Sequence, residues 1–225
     1  MNAFPFTANA TPDYLGYVPE AADVVVIGGG IAGVSAAWEL AGKGLQVVLC
    51  EKGRVGAEQS GRNWGWIRVQ GRDPAEIPLV LEARHLWERW SERLGPDLGY
   101  QKRGVTYLAD TDKDLADFEA WLEHARAWDL DTRMLTLAET HKLMKGAPAD
   151  RWKGALHTAS DARAEPWVAV PMIARALAAA GVAICEHCAV RGLDIQGGQL
   201  VGVSTEIGPI RADAVVLTGG AWSSL

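Results

Sequence analysis

The chain has 225 residues, 48% hydrophobic and 22% charged, which excludes a disordered or fibrous protein and leaves enough chain to bury a sizeable core. A formal net charge of -6 with no run of Lys and Arg excludes the electrostatic footprint of a nucleic-acid binder. The longest uncharged apolar stretch, residues 24–38, falls short of the ~20 residues that cross a bilayer and is broken by glycines, so no membrane span is expected. No basic side chain precedes Lys43, so a signal peptide is not expected and cytoplasmic residence is the expectation.

Residues 1–22 carry Pro5, Pro12 and Pro19 without periodicity and predict an irregular surface lead-in. Asp23-Val24-Val25-Val26-Ile27 is β-branched and apolar on both faces, as in the centre of a parallel sheet. After a glycine-rich turn, residues 31–43 predict a helix stopped by Gly44, and residues 46–50 a second buried strand, which together make a right-handed βαβ unit. Residues 51–74 are rich in Gly, Arg and Trp with neither period, and long loops in compact domains are usually functional. Residues 77–94 predict an amphipathic helix with Leu79, Ala83, Leu86, Trp87, Trp90 and Leu94 on one face and a solvated His85 off it.

A strand at 104–109, a helix at 113–128 and a strand at 154–158 mark a middle block with the look of a second subdomain. Pro166 starts a further helix that carries Trp167, Val170, Ile173, Ala174 and Leu177 on one face and stops at Gly181. Short strands follow near Val182, Val190, Leu200 and Ile210, ending in Ala214-Val215-Val216-Leu217. The expected division is therefore a lead-in at 1–22, a nucleotide-binding domain at 23–76 with 160–225, and a partial cap at 77–159. Trp38, Trp87, Trp90, Trp121 and Trp128 fall on helices and predict core positions.

Cys185-Glu186-His187-Cys188 has the spacing of half a zinc site or of a redox pair. Residues 182–190 predict a strand, where positions three apart face opposite ways, and no second ligand pair exists, so neither a metal site nor a redox pair is expected. Cys50 belongs to a buried strand pattern.

Gly28, Gly30 and Gly33 follow a predicted strand and open a helix whose first residues are Ile31 and Ala32, so backbone can approach a pyrophosphate seated on the helix N-terminus. Glu51 ends the second strand about 20 residues on, where a carboxylate accepts from a ribose diol and repels a 2'-phosphate. These features point to a dinucleotide and leave FAD and NAD open. In the loop, Arg62 can neutralise pyrophosphate, Ser60 and Asn63 can donate to phosphate or a ring edge, and Gly65 permits close approach to a flat ring. Trp64 and Trp66 are two apart and point the same way from an extended backbone, to wall a pocket or to plug the core. Arg68 and Arg72 either fork a substrate carboxylate or lie on the surface, and Trp222 is a further pocket candidate.

The run Glu51-Lys52-Gly53, then Gln59-Ser60-Gly61-Arg62-Asn63-Trp64-Gly65-Trp66-Ile67-Arg68, resembles the flavin-facing loop of the D-amino-acid oxidase and glycine oxidase superfamily. Val190, Gly202-Val203 and the tail Ala212 to Ser223 resemble that superfamily's pattern of a valine backbone at adenine and a strand ending in small residues beside FAD. Asp161 to Pro166 followed by a helix is similar too. Within the superfamily, residues 60–74 look like flavin L-amino-acid oxidases of broad specificity and depart from sarcosine oxidases, whose loop carries His and Arg where this one has Trp.

The resemblance implies an α/β, Rossmann-like FAD domain of the glutathione-reductase type with an inserted α+β substrate subdomain, cut short at the C-terminus. It adds Lys52, Gln59, Trp66, Val190, Thr218, Gly219 and Gly220 to the FAD-binding residues. The activity implied is oxidation of an α-amino acid, L over D, by hydride transfer to flavin. The imino acid then hydrolyses to a keto acid and ammonia, with H2O2 formed where oxygen is the acceptor. No Ser-His-Asp or metal constellation is required. Three alternatives stay open: a non-catalytic FAD-binding fragment that needs a missing C-terminal half, in cis or from a partner; a secondary-amine, opine or D-amino-acid dehydrogenase; and an NAD-dependent dehydrogenase. A homo-oligomer is a further expectation.

Overall fold

The computed structural model describes residues 13–14, 17–146, 148 and 151–224. The chain separates into two compact units, Met1–Trp64 with Glu165–Leu225, and Gly65–Ala164. In chain order the first unit opens with β1 (Ala21–Ile27), α1 (Ile31–Gly42) and β2 (Val47–Cys50). The second unit holds β3 (Trp66–Ile67), α2 (Ile77–Leu94), β4 (Gln101–Lys102), β5 (Val105–Ala109), α3 (Asp112–Ala127), β6 (Thr132–Leu135), α4 (Leu137–Leu143), β7 (Gly154–Thr158) and β8 (Ala162–Arg163). The chain then returns to the first unit with α5 (Pro166–Ala179), β9 (Ala183–Cys185), β10 (Val190–Gln196), β11 (Gln199–Thr205) and β12 (Pro209–Leu217).

The first unit is built on a six-stranded sheet in the order β10-β11-β12-β1-β2-β9. β1 lies between two parallel partners, β12 and β2, and β9 adds in parallel beyond β2. That central place accounts for the apolar character of Val24, Val25 and Val26 on both faces. β10, β11 and β12 form an antiparallel meander whose first turn uses Gly197 and Gly198, both at positive φ. α1 and α5 pack against each other. α1 ends where its pattern ends, with Gly44 at φ 85° after the cap residue Lys43.

One cluster in this core corrects a sequence expectation. The strand ends at Cys185 instead of continuing toward Val190, and His187 adopts a left-handed φ of 51°. The resulting bend brings Cys188 back, so that Cys50, Cys185 and Cys188 share one buried cluster with Val25, Val48, Val203, Ile210 and Ala212. Alternation of faces applies only while the backbone stays extended, and here it does not.

The second unit carries two antiparallel three-stranded sheets, β3-β8-β4 and β5-β7-β6, with α2, α3 and α4. Residues 65–76, expected with the nucleotide-binding part, belong to this unit. α3 and α4 each start on a capping box, Thr111 with Asp114 and Thr136 with Glu139. α2 buries a narrower stripe than its pattern suggests: Ile77 and Trp90 are buried, whereas Leu79 is 73% exposed. Periodicity locates an apolar face but not the width of the neighbour that covers it. Trp128, expected in the core, is 42% exposed, because α3 ends before it and Asp129 turns the chain at φ 50°. The two-residue strands β3, β4 and β8, like β6 and α4, were not anticipated from sequence, since such short elements are fixed by distant partners.

Candidate cofactor site

The turn between β1 and α1 is shaped by glycines that tolerate no side chain. Gly28 sits at φ +108°, and a Cβ on it would fall 2.5 Å from the Thr218 carbonyl oxygen. A Cβ on Gly33 would fall 1.8 Å from the Gly28 carbonyl oxygen. Thr218, just past β12, closes the turn from the neighbouring strand: its N–H donates to the Ile27 carbonyl at 2.8 Å. Its hydroxyl donates to the Ile27 carbonyl at 2.8 Å and the Gly28 carbonyl at 3.0 Å. Gly219 and Gly220 follow at once and open a short helical turn to Trp222.

The N-terminus of α1 is open to an anion. Its N-cap is Gly30, no N-cap side chain caps it, and its first turn holds no acid, so the positive end of the helix dipole keeps no built-in counter-charge. The Ser60 hydroxyl accepts from the Ile31 N–H at 2.9 Å, and a Cβ on Gly30 would lie 3.1 Å from that hydroxyl. Ser60 thereby places a polar group at the position where the sequence predicted a phosphate contact.

Glu51 is buried at the end of β2 and is held from all sides. Its Oε2 accepts from the Gly29 N–H and its Oε1 from the Gly53 N–H, both at 2.7 Å. Its own N–H donates to the Cys185 carbonyl at 2.8 Å, and its carbonyl accepts from the Cys188 N–H at 2.9 Å. Each carboxylate oxygen retains acceptor capacity, which suits a pair of hydroxyl donors such as a ribose diol. The glycine cradle, the helix end with no acid in its first turn and this acceptor therefore fit a dinucleotide.

The remaining predicted contacts of the first unit divide. Lys52 lies with its Nζ 3.1 Å from Glu58 and 4.0 Å from the centre of the Trp222 ring. Arg62 pairs with Glu58 as well, at 3.1 Å. Both cations expected at the cofactor thus meet a carboxylate that sequence reasoning did not single out. The Asn63 amide donates to the carbonyls of Gln59 and Ser60, so it folds the loop on itself. Val190 begins β10, half-buried against the cysteine cluster. Trp64 is 79% exposed and is no core plug.

A second group near the cradle also escaped sequence reasoning. The buried Glu186 carboxylate accepts from the N–H groups of Asp13, at 2.7 Å, and Tyr14, at 3.3 Å, through one oxygen, and from Val55 at 2.7 Å through the other. Arg54, also buried, pairs with Asp13 at 3.1 Å and lies 4.0 Å from Glu186. This knot fixes the loop that follows Glu51 and ties Asp13 and Tyr14 to it. Burial lifts the Tyr14 phenol to about 12.

In the second unit, Gly65 is buried at φ 70° and Trp66 is 43% exposed, so this tryptophan does not fill the core either. The Arg68 guanidinium lies 5.7 Å from the Trp66 ring centre and 5.6 Å from that of Tyr107, and donates to the Gln70 carbonyl. Arg72, by contrast, pairs with Glu76 at 3.6 Å. Asp161 is fully buried and accepts from the N–H groups of Val69 at 2.8 Å and Gln70 at 3.1 Å, with Arg84 at 3.7 Å. Burial raises its carboxyl above the usual range, against the opposing pull of those N–H groups and of Arg84. Among the described residues, no cluster of His, Cys, Asp and Glu has the geometry of a metal site, and no helix is long and apolar enough to cross a membrane.

A parallel βαβ core, a glycine turn at the end of its first strand and a buried acid at the end of its second define a dinucleotide-binding α/β protein. The family model described as FAD dependent oxidoreductase matches residues 23–225, and the chain belongs to that family. The family match sets aside the NAD-dependent alternative. The chain is 32% identical over 209 residues to glycine oxidase of Pseudomonas putida, covering 89% of this chain and 55% of that protein. It is 29% identical over 217 residues to human mitochondrial sarcosine dehydrogenase, covering 92% of this chain and 23% of that one. Among solved structures, L-amino acid deaminase from Proteus myxofaciens matches with a TM-score of 0.87 at 35% identity, over 93% of this chain and 48% of the other. Glycine oxidase from Bacillus cereus matches with a TM-score of 0.82 at 25% identity, over 90% of this chain and 56% of the other. The chain thus spans between 23% and 55% of the length of these curated relatives.

Proposed function

We propose that the protein oxidises an α-amino acid, with L preferred over D, and that this chain contributes its FAD cradle and a part of its substrate-binding unit. The observation that carries the reading is the convergence of the Gly29 and Gly53 N–H groups on Glu51, next to the Gly28–Gly33 turn that Thr218 closes. On this reading Gly28, Gly30, Ile31, Ala32 and Gly33 hold the pyrophosphate and Glu51 the ribose diol. The Val190 backbone holds adenine. Lys52, Gln59, Ser60, Arg62 and Asn63, with Thr218, Gly219 and Gly220, line the rest of the cofactor.

FAD, when bound, supplies the two-electron acceptor for hydride leaving the α-carbon, and water hydrolyses the resulting imine. The chain's own residues have to bind, orient and exclude water. Arg68 is the better candidate for the substrate carboxylate, because Arg72 pairs with a carboxylate, Glu76, while Arg68 lies beside the Trp66 and Tyr107 rings and gives one N–H to the neutral Gln70 carbonyl. The preference for an amino acid draws on the likeness to an L-amino acid deaminase. A second reading, oxidation of a secondary amine, is favoured by the likeness to sarcosine dehydrogenase.

A panel of L- and D-amino acids, N-methyl amino acids and amines without a carboxylate, mixed under argon with the full-length flavoprotein, tests both readings. Bleaching of the flavin by L-amino acids is the expected result. Bleaching by N-methyl substrates alone establishes the second reading, and bleaching only by amines without a carboxylate overturns both.

A further inference from the structure

One buried carboxylate that is not among the proposed FAD contacts reaches the cradle through the backbone. Glu186 is 3% exposed, and its two oxygens serve different segments. Oε2 accepts from the Asp13 and Tyr14 N–H groups, at 2.7 and 3.3 Å, and Oε1 accepts from the Val55 N–H at 2.7 Å. Arg54 lies 4.0 Å away and pairs with Asp13 at 3.1 Å, so the charge of Glu186 is opposed while the three N–H groups fix its direction. Burying a carboxylate carries a desolvation cost that an apolar side chain avoids, and what it adds here is geometry.

Val55 is where that geometry meets the cradle. Its Cγ2 would lie 3.1 Å from a Cβ built on Gly29, so the side chain rests on the glycine turn itself. The next N–H, that of Gly56, donates to the Gly29 carbonyl at 3.0 Å. Gly29 in turn donates to Glu51, as does Gly53, whose own carbonyl accepts from the His187 N–H at 3.0 Å. Residues 51–56 are thus held between residues 185–188 on one side and Gly29 on the other. The bond from Val55 is made to a side chain, so a substitution at Glu186 removes it and leaves the backbone donors and acceptors of the loop in place.

We propose that Glu186 is a positioning residue of the cofactor site: through the Val55 N–H it sets the backbone that holds Gly29 and the Glu51 carboxylate in place for the ribose diol. This rests on the reading of Glu51 as the ribose acceptor and is independent of the substrate. The other oxygen of Glu186 serves Asp13 and Tyr14 and has no such path to the turn, so the two arms of the carboxylate have separable consequences.

The test reads amide hydrogen exchange in the full-length protein and FAD affinity by titration of its apoprotein, for wild type, Glu186→Ala, Glu51→Gln and the double variant. In Glu186→Ala the Val55, Gly53 and Gly29 amides should exchange about tenfold faster or more, well beyond any change at Leu177 inside α5. FAD should bind about tenfold more weakly. In the Glu51→Gln background the same substitution should weaken FAD by less than about twofold, because it acts through Glu51. Asp13→Ala, which removes the partner of Arg54 and keeps the Val55 bond, should bind FAD like wild type. If Glu186→Ala does not fold, the wild type decides: the three amides should open at one common rate, and a Val55 amide that exchanges freely while Gly53 and Gly29 stay protected sinks the proposal. Equal acceleration at Leu177 and Gly53 makes Glu186 a matter of general stability, and an equal loss of affinity with and without Glu51 removes the path through that acid; either result overturns the proposal. Weakened binding in Glu51→Gln beside unaltered binding in Glu186→Ala overturns this proposal alone, whereas unaltered binding in Glu51→Gln overturns the reading of Glu51 and this proposal with it.

Discussion

The Gly29 N–H donates to the Glu51 carboxylate at 2.7 Å, so the middle glycine of the turn and the acid at the end of β2 are set by one hydrogen bond. A second, from the Gly53 N–H, leaves the carboxylate no freedom to turn. Replacing Glu51 with Gln sets an amide NH2 against a backbone N–H in a buried place, and a lost charge-assisted bond of this kind costs about 1.5–3 kcal/mol. The expected result for E51Q is FAD affinity weakened by roughly ten- to a hundredfold, measured by titrating the apoprotein with FAD. Unchanged affinity would remove Glu51 from the cofactor site.

Glycine substitutions separate the cradle from ordinary glycine turns. Gly33→Ala places a Cβ 1.8 Å from the Gly28 carbonyl oxygen, a clash with backbone that cannot yield as a side chain would. Gly42→Ala, at the end of α1, meets nothing within 4 Å. The first should destabilise by about 3 kcal/mol or more, and the second should be neutral or stabilise by up to about 1 kcal/mol. Thermal melts of the two variants check the contrast, and equal melts would mean the turn is not as tightly closed as its geometry indicates.

What was legible in the sequence depended on how far apart the partners lie. Gly28, Gly33 and Glu51 belong to one βαβ unit, whose order, spacing and apolar strands declare it locally, and the structure brings them together. The partners of Val55 and Val69 lie elsewhere: Glu186 is 131 residues from the first, and Asp161 is 92 from the second. No local pattern marks an acid that will be buried against backbone N–H groups so far away. The meeting of Cys188 with Cys50 was hidden for a different reason. It depends on a single left-handed residue, His187, which periodicity cannot foresee.

Asp161 predicts a dependence of stability on pH. Its folded-state pKa lies above the ordinary carboxyl value of 3.8, so across the window from 3.8 up to the folded value the native state binds more protons than the unfolded state. Stability from this group is fully present below 3.8 and falls as pH rises through that window. Asp161→Asn should remove that slope. It should also cost about 1–3 kcal/mol, since one of the Val69 and Gln70 N–H groups then faces an amide NH2. Urea unfolding of wild type and D161N at a series of pH values tests this, and parallel pH profiles would show that Asp161 titrates alike in both states.

Arg68 and Arg72 differ in what engages them, and that difference predicts different kinetics. Arg72 is paired to Glu76 four residues on, so Arg72→Ala should leave substrate binding within a few-fold of wild type. Arg68 lies against Trp66 and Tyr107, gives one N–H to the Gln70 carbonyl and has further N–H groups with which to hold a carboxylate. Lys keeps the charge but not the fork, so Arg68→Lys should raise KM for amino acids by roughly tenfold and Arg68→Ala by up to about a hundredfold, in line with 1.5–3 kcal/mol for a charged hydrogen bond. An amine without a carboxylate should be oxidised equally by wild type and both variants, because it has nothing for the guanidinium to hold. Steady-state kinetics on a matched pair, an amino acid and its decarboxylated amine, measure this. An equal loss on both members would assign Arg68 to the packing of the Trp66 and Tyr107 rings instead of to the substrate.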